Sequence, residues 1–278
     1  MLQPPARLIA RLDVKGPNVV KGIQLEGLRI VGQPADLARR YYRQGIDEIL
    51  FLDIVASLYQ RSSMFDIVRA TASDVFVPIT VGGGLRTLDD VVDALRSGAD
   101  KVAINTAAIA RPPFLTEMAR AFGSQCVVLS VEAKRKKGGG ASWEALTDNG
   151  RERTGIDVLK WVVEAESLGA GELLLTSVDQ EGSAGGMDLD LLTAVHELVR
   201  IPIIASGGVG KPGDVGDVLV RNVAEAVACA HVLHYGASDV SAIKAHLVKE
   251  GIPVRHAPTS DEFPGILPPG GKPTNSAS

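Results

Sequence analysis

The chain has 278 residues, of which 29 are Lys or Arg and 33 are Asp or Glu, so its formal net charge is −4. Hydrophobic residues make up 45 % and charged residues 22 %, which is close to the average for globular proteins. These values exclude a disordered chain, a fibrous repeat and a strongly basic nucleic-acid-binding protein. The first six residues contain two prolines and no apolar signal segment. No apolar stretch approaches the roughly 20 residues of a membrane helix. We therefore expect a cytoplasmic protein that binds neither a membrane nor nucleic acid.

Short β-branched or leucine-rich runs alternate with amphipathic segments along the whole chain, which predicts strands that alternate with helices. The predicted strands are residues 7–12, 48–53, 77–81, 101–105, 126–132, 172–177, 201–205 and 226–230. The predicted helices are residues 35–44, 63–73, 87–97, 113–122, 155–168, 189–199, 212–221 and 238–249.

Eight such units in about 250 residues predict an α/β fold, a single (β/α)8 TIM barrel over residues 1–256. An open, doubly wound sheet is the alternative, but the first strand is not followed by Gly-x-Gly-x-x-Gly. Residues 257–278 are rich in Pro, Gly and Ser and are predicted to form a disordered tail.

An internal repeat supports the barrel. Residues 77–84 (VPITVGGG) recur 124 positions later as 201–208 (IPIIASGG), and residues 47–52 (DEILFL) recur at the same offset as 171–176 (GELLLT). The segment LDVK at 12–15 has a counterpart in VEAK at 131–134. We therefore predict two half-barrels, each of four βα units.

Two connections exceed the usual length of about 2–6 residues. They are residues 15–33 and 134–154, and both follow strands at the carboxyl-terminal face, where barrel active sites lie. The first is either a lid over the substrate or a decorative loop.

Cys126 and Cys229 lie in apolar runs, so we expect buried free thiols. No cluster of His, Cys and Asp has metal-ligand spacing, so we expect no metal or other cofactor.

Two carboxylates occupy equivalent places in the repeat. Asp13 ends the first strand and Glu132 ends the fifth, and these strands are opposite each other in an eight-stranded ring. Such a pair suits acid/base catalysis on a substrate held between them. Each carboxylate could instead pair with the neighbouring Lys15 or Lys134. Their matched positions favour catalysis.

Glycine turns follow the third and seventh strands, at 82–84 and 207–208. Backbone N–H groups in such turns can approach an anion closely, because no Cβ intervenes. Asn105 and Thr106 lie beside the first turn, whereas Ala230 and His231 lie beside the second. Two related anion sites predict a substrate with a phosphate at each end.

Four charged residues open strands at the opposite, amino-terminal face: Arg7, Glu48, Lys101 and Glu172. Alternation along a strand places Arg7 on the same side as Asp13. If all four face the lumen, they form either a neutral plug of salt bridges or a gate for a small polar molecule.

The chain resembles a known family, the cyclase subunit of imidazole glycerol phosphate synthase, over residues 7–255. The segments that carry this resemblance are LDVK (12–15), VKG (20–22), FLDI (51–54), TVGGG (80–84), GADKV (98–102), NTAA (105–108), FGSQ (122–125), GAGE (169–172) and IASGG (204–208).

The resemblance implies a (β/α)8 lyase of histidine biosynthesis that forms a heterodimer with a glutaminase subunit. Ammonia from the glutaminase would pass through the barrel and react with a bisphosphate ribulosyl-formimino nucleotide. The products would be imidazole glycerol phosphate and an aminoimidazole carboxamide ribonucleotide. Asp13 would match one catalytic aspartate, and Lys21 the lysine of a mobile loop. The remaining matches would be an ammonia gate at Arg7, Glu48, Lys101 and Glu172, one phosphate site at Gly84, Asn105 and Thr106, and a second at Gly182, Gly208 and Ala230.

Several positions depart from the family pattern. Glu132 and Glu181 stand where the family has aspartates, His231 replaces a serine, and the first long loop begins Gly16-Pro17-Asn18 instead of with an Asp-Gly pair. These changes lie at the substrate end and leave the gate intact. Two alternative functions therefore stay open. The chain could be a paralogue that uses channelled ammonia to amidate a sugar for surface polysaccharide, or an inert barrel that serves as a scaffold. An aminoaldose–ketose isomerase of the same barrel type would not need the four gate charges.

Overall fold

A computed structural model of the chain describes residues 4–23, 26–55, 62–138 and 140–255. The predicted tail at 257–278 lies outside these residues. The strands are β1 (Arg7–Lys15), β2 (Asn18–Ile23), β3 (Glu26–Gly32), β4 (Glu48–Asp53), β5 (Ile79–Gly82), β6 (Lys101–Ile104), β7 (Val127–Arg135), β8 (Trp143–Thr147), β9 (Glu152–Asp157), β10 (Glu172–Ser177), β11 (Ile203–Ser206) and β12 (Ala226–Cys229).

The helices lie between the barrel strands, as the βα alternation predicted. They are α1 (Pro34–Arg43), α2 (Ser62–Ala72), α3 (Leu88–Arg96), α4 (Thr106–Ala110), α5 (Pro113–Phe122), α6 (Val158–Ser167), α7 (Leu189–His196), α8 (Pro212–Val220), α9 (His231–His234) and α10 (Val240–Lys249). Among the described residues, no helix is both long and apolar enough to cross a membrane.

Eight of the strands form a closed parallel barrel. Their order around the ring is β1, β4, β5, β6, β7, β10, β11 and β12, and β12 pairs with β1 to close it. The predicted (β/α)8 barrel is therefore confirmed. Strands β5 and β11 begin two residues later than predicted, after Pro78 and Pro202. Proline has no N–H group to donate to the sheet, so pairing starts beyond it.

The two long connections are β-hairpins, although the sequence predicted loops. Strand β1 continues into β2 and β3, and β7 continues into β8 and β9, each through antiparallel pairing. The predicted helix at 155–168 starts later, at Val158, because β9 extends to Asp157. Asp157 caps the helix by accepting a hydrogen bond from the N–H of Lys160. The hairpins leave matching strands of the two halves, in agreement with the predicted repeat.

The repeat also recurs in the way two helices begin. Asp90 Oδ2 accepts hydrogen bonds from the N–H groups of Arg86 and Thr87, at 2.8 and 2.9 Å. Asp214 Oδ2 accepts them from Gly210 and Lys211 at the same two distances. Each carboxylate satisfies N–H groups that a helix start would otherwise leave unpaired. The same kind of carboxylate cap thus stabilises the N-terminus of α3 and of α8.

The apolar core has two parts. The larger part lies between the outer faces of the strands and the helices, and it includes both buried free cysteines. The smaller part fills the middle of the barrel lumen, as expected for eight strands. It consists of Ile9, Leu50, Ala103, Val128, Leu174, Ile204, Ala226 and Ala228. This lumen cluster separates the charged floor of the barrel from its carboxyl-terminal mouth.

Candidate active site

A closed ring of four ion pairs forms the floor. Arg7 contacts Glu48 at 2.7 Å and Glu172 at 2.6 Å. Lys101 contacts the other oxygens of the same two carboxylates, at 3.0 and 2.8 Å. Cations and anions alternate, so each buried glutamate has two half-buried cations beside it, which offsets the cost of desolvation. The sequence thus placed these four residues together correctly. Their predicted role as a gate stays a prediction.

The two predicted catalytic carboxylates are buried at the opposite end. Asp13 lies near the end of β1, and Glu132 lies on β7. Glu132 Oε2 accepts hydrogen bonds from the N–H of Gly150 at 2.7 Å and from Asn105 Nδ2 at 3.1 Å. Burial raises the pKa of Glu132 to about 7, although the Arg11 charge and the Gly150 N–H act in the opposite direction. Glu132 therefore titrates near neutral pH.

Two cations, Arg11 and Lys21, stabilise the ionised form of Asp13. Burial disfavours its ionised form, but the charges of Arg11 and Lys21 and a hydrogen bond from Arg11 outweigh burial. The pKa of Asp13 therefore lies below its ordinary value. Two carboxyl groups whose environments push their pKa values apart can act as acid and base at the same pH.

Lys21 reaches the mouth of the barrel from the first hairpin, which is formed by β2 and β3. It is buried, pairs with the Glu181 carboxylate, and its Nζ lies 3.7 Å from Asp13 Oδ2. Burial lowers the pKa of Lys21 to about 8, against the effect of the Asp13 charge. The carbonyl oxygen of Gly22 lies only 2.3 Å from where a Cβ of Gly182 would be. Gly182, which has φ +71°, thus lets the hairpin pack against the loop after β10.

The first predicted phosphate site is an open cavity of about 320 Å³. Gly84, Asn105 and Thr106 line it together with Asp148 and Asn149 from the second hairpin. Among the polar atoms buried here, Asn105 Oδ1 and Asn149 Nδ2 have no hydrogen-bond partner in the described structure. The cavity therefore has room for a ligand beside two buried polar atoms that the described residues leave unpaired.

The second predicted site is nearly filled by the protein itself. Gly182, Gly208 and Ala230 line a cavity of about 10 Å³ together with Glu181 and His231. This volume is at most that of one water molecule. The Glu181 carboxylate is buried there between Lys21 and Arg11. In this conformation the two predicted anion sites differ strongly in size.

One central side chain, Arg11, is not among the residues predicted from the sequence. Arg11 is 2 % exposed and lies in the barrel lumen. Its Nε donates to Asp13 Oδ1 at 2.8 Å, and its Nη1 donates to Ser206 and Thr176 at 2.9 and 3.2 Å. The signal was available, because strand alternation places residue 11 on the same side as residues 7 and 13.

The comparisons with known proteins agree with this geometry. A family model described as "Histidine biosynthesis protein" matches residues 7–239. The chain belongs to this histidine biosynthesis family. The imidazole glycerol phosphate synthase subunit HisF of Legionella pneumophila is 60 % identical over 205 residues, covering 74 % of this chain and 96 % of the relative.

Two further relatives of the same name cover more of the chain. The protein of Myxococcus xanthus is 50 % identical over 249 residues, covering 90 % of this chain and 97 % of the relative. That of Mycobacteroides abscessus is 48 % identical over 253 residues, covering 90 % and 98 %. The resemblance to the cyclase subunit of imidazole glycerol phosphate synthase is thereby confirmed, and with it an enzyme of histidine biosynthesis.

Proposed function

We propose that this barrel performs the cyclase reaction of imidazole glycerol phosphate synthase, with Asp13 as general base and Glu132 as general acid. Ammonia and the bisphosphate ribulosyl-formimino nucleotide would react at the mouth, between the two carboxyl groups. The observation that carries the proposal is the opposite direction of their pKa shifts. At neutral pH Asp13 is ionised and can accept a proton, whereas a substantial fraction of Glu132 is protonated and can donate one.

The substrate is proposed to bind with one phosphate in each glycine-lined site. The cavity beside Gly84 and Asn105 is large enough for one phosphate, and its backbone turn can approach an anion closely. The site beside Gly208 must widen first, by movement of Glu181 and Lys21. Crystals soaked in phosphate test this part. We expect an anion beside Gly84, and a second beside Gly208 only where the hairpin has moved.

Ammonia is proposed to enter through the floor and to come from a glutaminase partner. A cavity of about 440 Å³ opens beneath the floor ring and is lined by Arg7, Lys101 and Glu172. Above the ring, the lumen cluster is apolar and suits neutral ammonia better than ammonium ion. The partner would therefore dock on the amino-terminal face of the barrel. A cytoplasmic location for the pair stays a prediction.

Steady-state turnover of the ribulosyl nucleotide with ammonium salt tests the catalytic roles without the partner. Asp13→Asn and Glu132→Gln should each lower kcat by about 10²–10⁴-fold. Glu164→Gln is the matched control, because Glu164 is exposed on helix α6, on the outside of the barrel. A folded wild-type protein that forms no imidazole product rejects the proposal. If histidine synthesis in cells survives both substitutions, the barrel is only a scaffold.

A second candidate is the ammonia-using barrel that amidates a sugar. The observation that favours it is the small cavity beside Gly208, where Glu181 and His231 depart from the family pattern. The relatives give it no support, because all three are named as the histidine enzyme. A barrel that binds a glutaminase but does not turn over the ribulosyl nucleotide would favour the sugar.

A further inference from the structure

We propose that Arg11 is a positioning residue that fixes the Asp13 carboxylate by one oxygen, so that the other oxygen is presented to the substrate. This inference rests on the proposed role of Asp13 as the base. It concerns a side chain to which the resemblance assigns no role, and which also lines the second predicted phosphate site, 3.5 Å from Glu181.

The guanidinium lies in the lumen between the apolar cluster and the mouth. Arg11 follows Ile9 of the lumen cluster by two residues and precedes Asp13 by two, so all three side chains point inward. From β1 its guanidinium reaches hydroxyl groups on β10 and β11, namely those of Thr176 and Ser206. It therefore spans a large part of the bore and is anchored on both sides.

The contacts of Arg11 assign different tasks to the two oxygens of Asp13. Oδ1 accepts the Nε–H of Arg11 at 2.8 Å, in a charge-assisted hydrogen bond between buried groups. Oδ2 lies 3.7 Å from Lys21 Nζ. Because the guanidinium is rigid and planar, the anchors of its Nη1 on Thr176 and Ser206 hold the Nε–H in place against Oδ1. Oδ2 is thus left as the atom that takes the proton.

Arg11 and Lys21 are not equivalent partners of Asp13. Lys21 belongs to the hairpin, and the small second anion site requires that hairpin to move when substrate enters. Arg11 belongs to the barrel wall and keeps its anchors when the hairpin moves. Asp13 therefore remains paired with one cation throughout a catalytic cycle. The charged or titratable groups that surround Asp13 are Arg11 on β1, Lys21 on β2, Glu132 on β7, Glu181 after β10 and His234 on α9.

The Arg11 guanidinium also affects the pKa of Glu132, the proposed general acid. Its charge lowers the pKa of Glu132, against the larger effect of burial. Loss of the Arg11 charge should therefore raise the pKa of both Asp13 and Glu132. The expected signature is a pH profile in which both limbs move to higher pH. A residue that only fills the bore would not produce it.

The experiment measures kcat/KM against pH with ammonium salt for wild type, Arg11→Met, Arg11→Lys and Lys21→Met. Arg11→Met keeps an apolar side chain close in size to the aliphatic part of arginine but removes the charge, and we expect its acid limb to move up by about one pH unit or more. Arg39→Met is the control, because the ion pairs of Arg39 with Asp36 and Asp74 lie on the exposed surface. The ionisation of the substrate phosphates is common to all variants and does not affect the comparison.

Arg11→Lys retains the charge but not the fork. We expect a lower kcat with an acid limb near that of wild type. Lys21→Met should move the acid limb less than Arg11→Met does. The proposal is overturned if folded Arg11→Met keeps the wild-type acid limb. It is also overturned if Lys21→Met moves the limb farther, or if Arg11→Lys moves it as far as the methionine variant.

A carboxyl NMR titration without substrate separates this proposal from the proposed function. In wild type, Asp13 should titrate below its ordinary pKa of 3.8. In Arg11→Met, which loses the charge, the pKa of Asp13 should rise. In Arg11→Lys, which retains the charge, the pKa of Asp13 should stay near its wild-type value. If Asp13 titrates in this way but no product forms, the cyclase assignment fails and the role of Arg11 stands. If product forms but Asp13 titrates at or above 3.8 in wild type, only the role of Arg11 fails.

Discussion

Replacement of Glu132 by glutamine should stabilise the protein at alkaline pH. Burial raises the pKa of Glu132 from 4.5 to about 7, so the folded protein holds this proton more tightly than the unfolded chain does. The resulting stabilisation is complete below about pH 4.5 and is lost as the pH rises to about 7. At about 1.4 kcal/mol per pH unit, the whole loss is about 3 kcal/mol, of which about 2.5 kcal/mol falls between pH 5 and pH 8.

Urea unfolding of wild type and Glu132→Gln at these two pH values measures the effect. The neutral amide cannot ionise, and its carbonyl oxygen can still accept the hydrogen bonds from Gly150 and Asn105. The variant should therefore gain about 2.5 kcal/mol relative to wild type between pH 5 and pH 8. Glu117→Gln should show no such gain, because a hydrogen bond from Arg111 lowers the pKa of Glu117. An equal difference between Glu132→Gln and wild type at both pH values would refute the reasoning.

Three other substitutions test separate parts of the molecule. Lys101→Met removes one cation of the floor ring, so in the complex with a glutaminase it should lower glutamine-driven turnover more than ammonium-driven turnover. Gly182→Ala places a Cβ 2.3 Å from the carbonyl oxygen of Gly22 and forces a left-handed residue, a strain of about 1–3 kcal/mol. The contact between Gly22 and Gly182 should therefore be broken in more of the molecules, and KM should fall by on the order of tenfold because more of them can admit substrate. Lys244→Met leaves the buried Asp47 carboxylate without the cation that lies 2.8 Å away, so urea unfolding should show a loss of about 3–5 kcal/mol.

The barrel could be predicted from the sequence because its signals are local. Alternating apolar runs and amphipathic segments identify a βα unit without knowledge of its neighbours, and the repeat then relates the two halves. The floor ring was predictable for the same reason, since Arg7, Glu48, Lys101 and Glu172 each open a strand of the barrel. Only their pairing into a closed ring required the structure.

The hairpins and the place of Arg11 were harder to predict from the sequence, because contacts between residues far apart in the chain determine them. The segment at 15–33 contains β-branched residues typical of strands, such as Val19 and Val20, but its length favoured a loop interpretation. An arginine within an apolar strand invites a surface assignment, and only the shared alternation with Asp13 points into the lumen. The filling of the second anion site depends on Glu181 and Lys21, which are far apart in sequence and meet only when the hairpin folds over the mouth.

The burial of Lys21 has a kinetic consequence. In this conformation the second predicted anion site is closed by a latch, in which Lys21 binds Glu181 and Gly22 packs against Gly182. A substrate phosphate can occupy this site only in the fraction of molecules in which the latch is open. Its apparent affinity is lowered by that fraction, and its rate of capture cannot exceed the rate at which the latch releases.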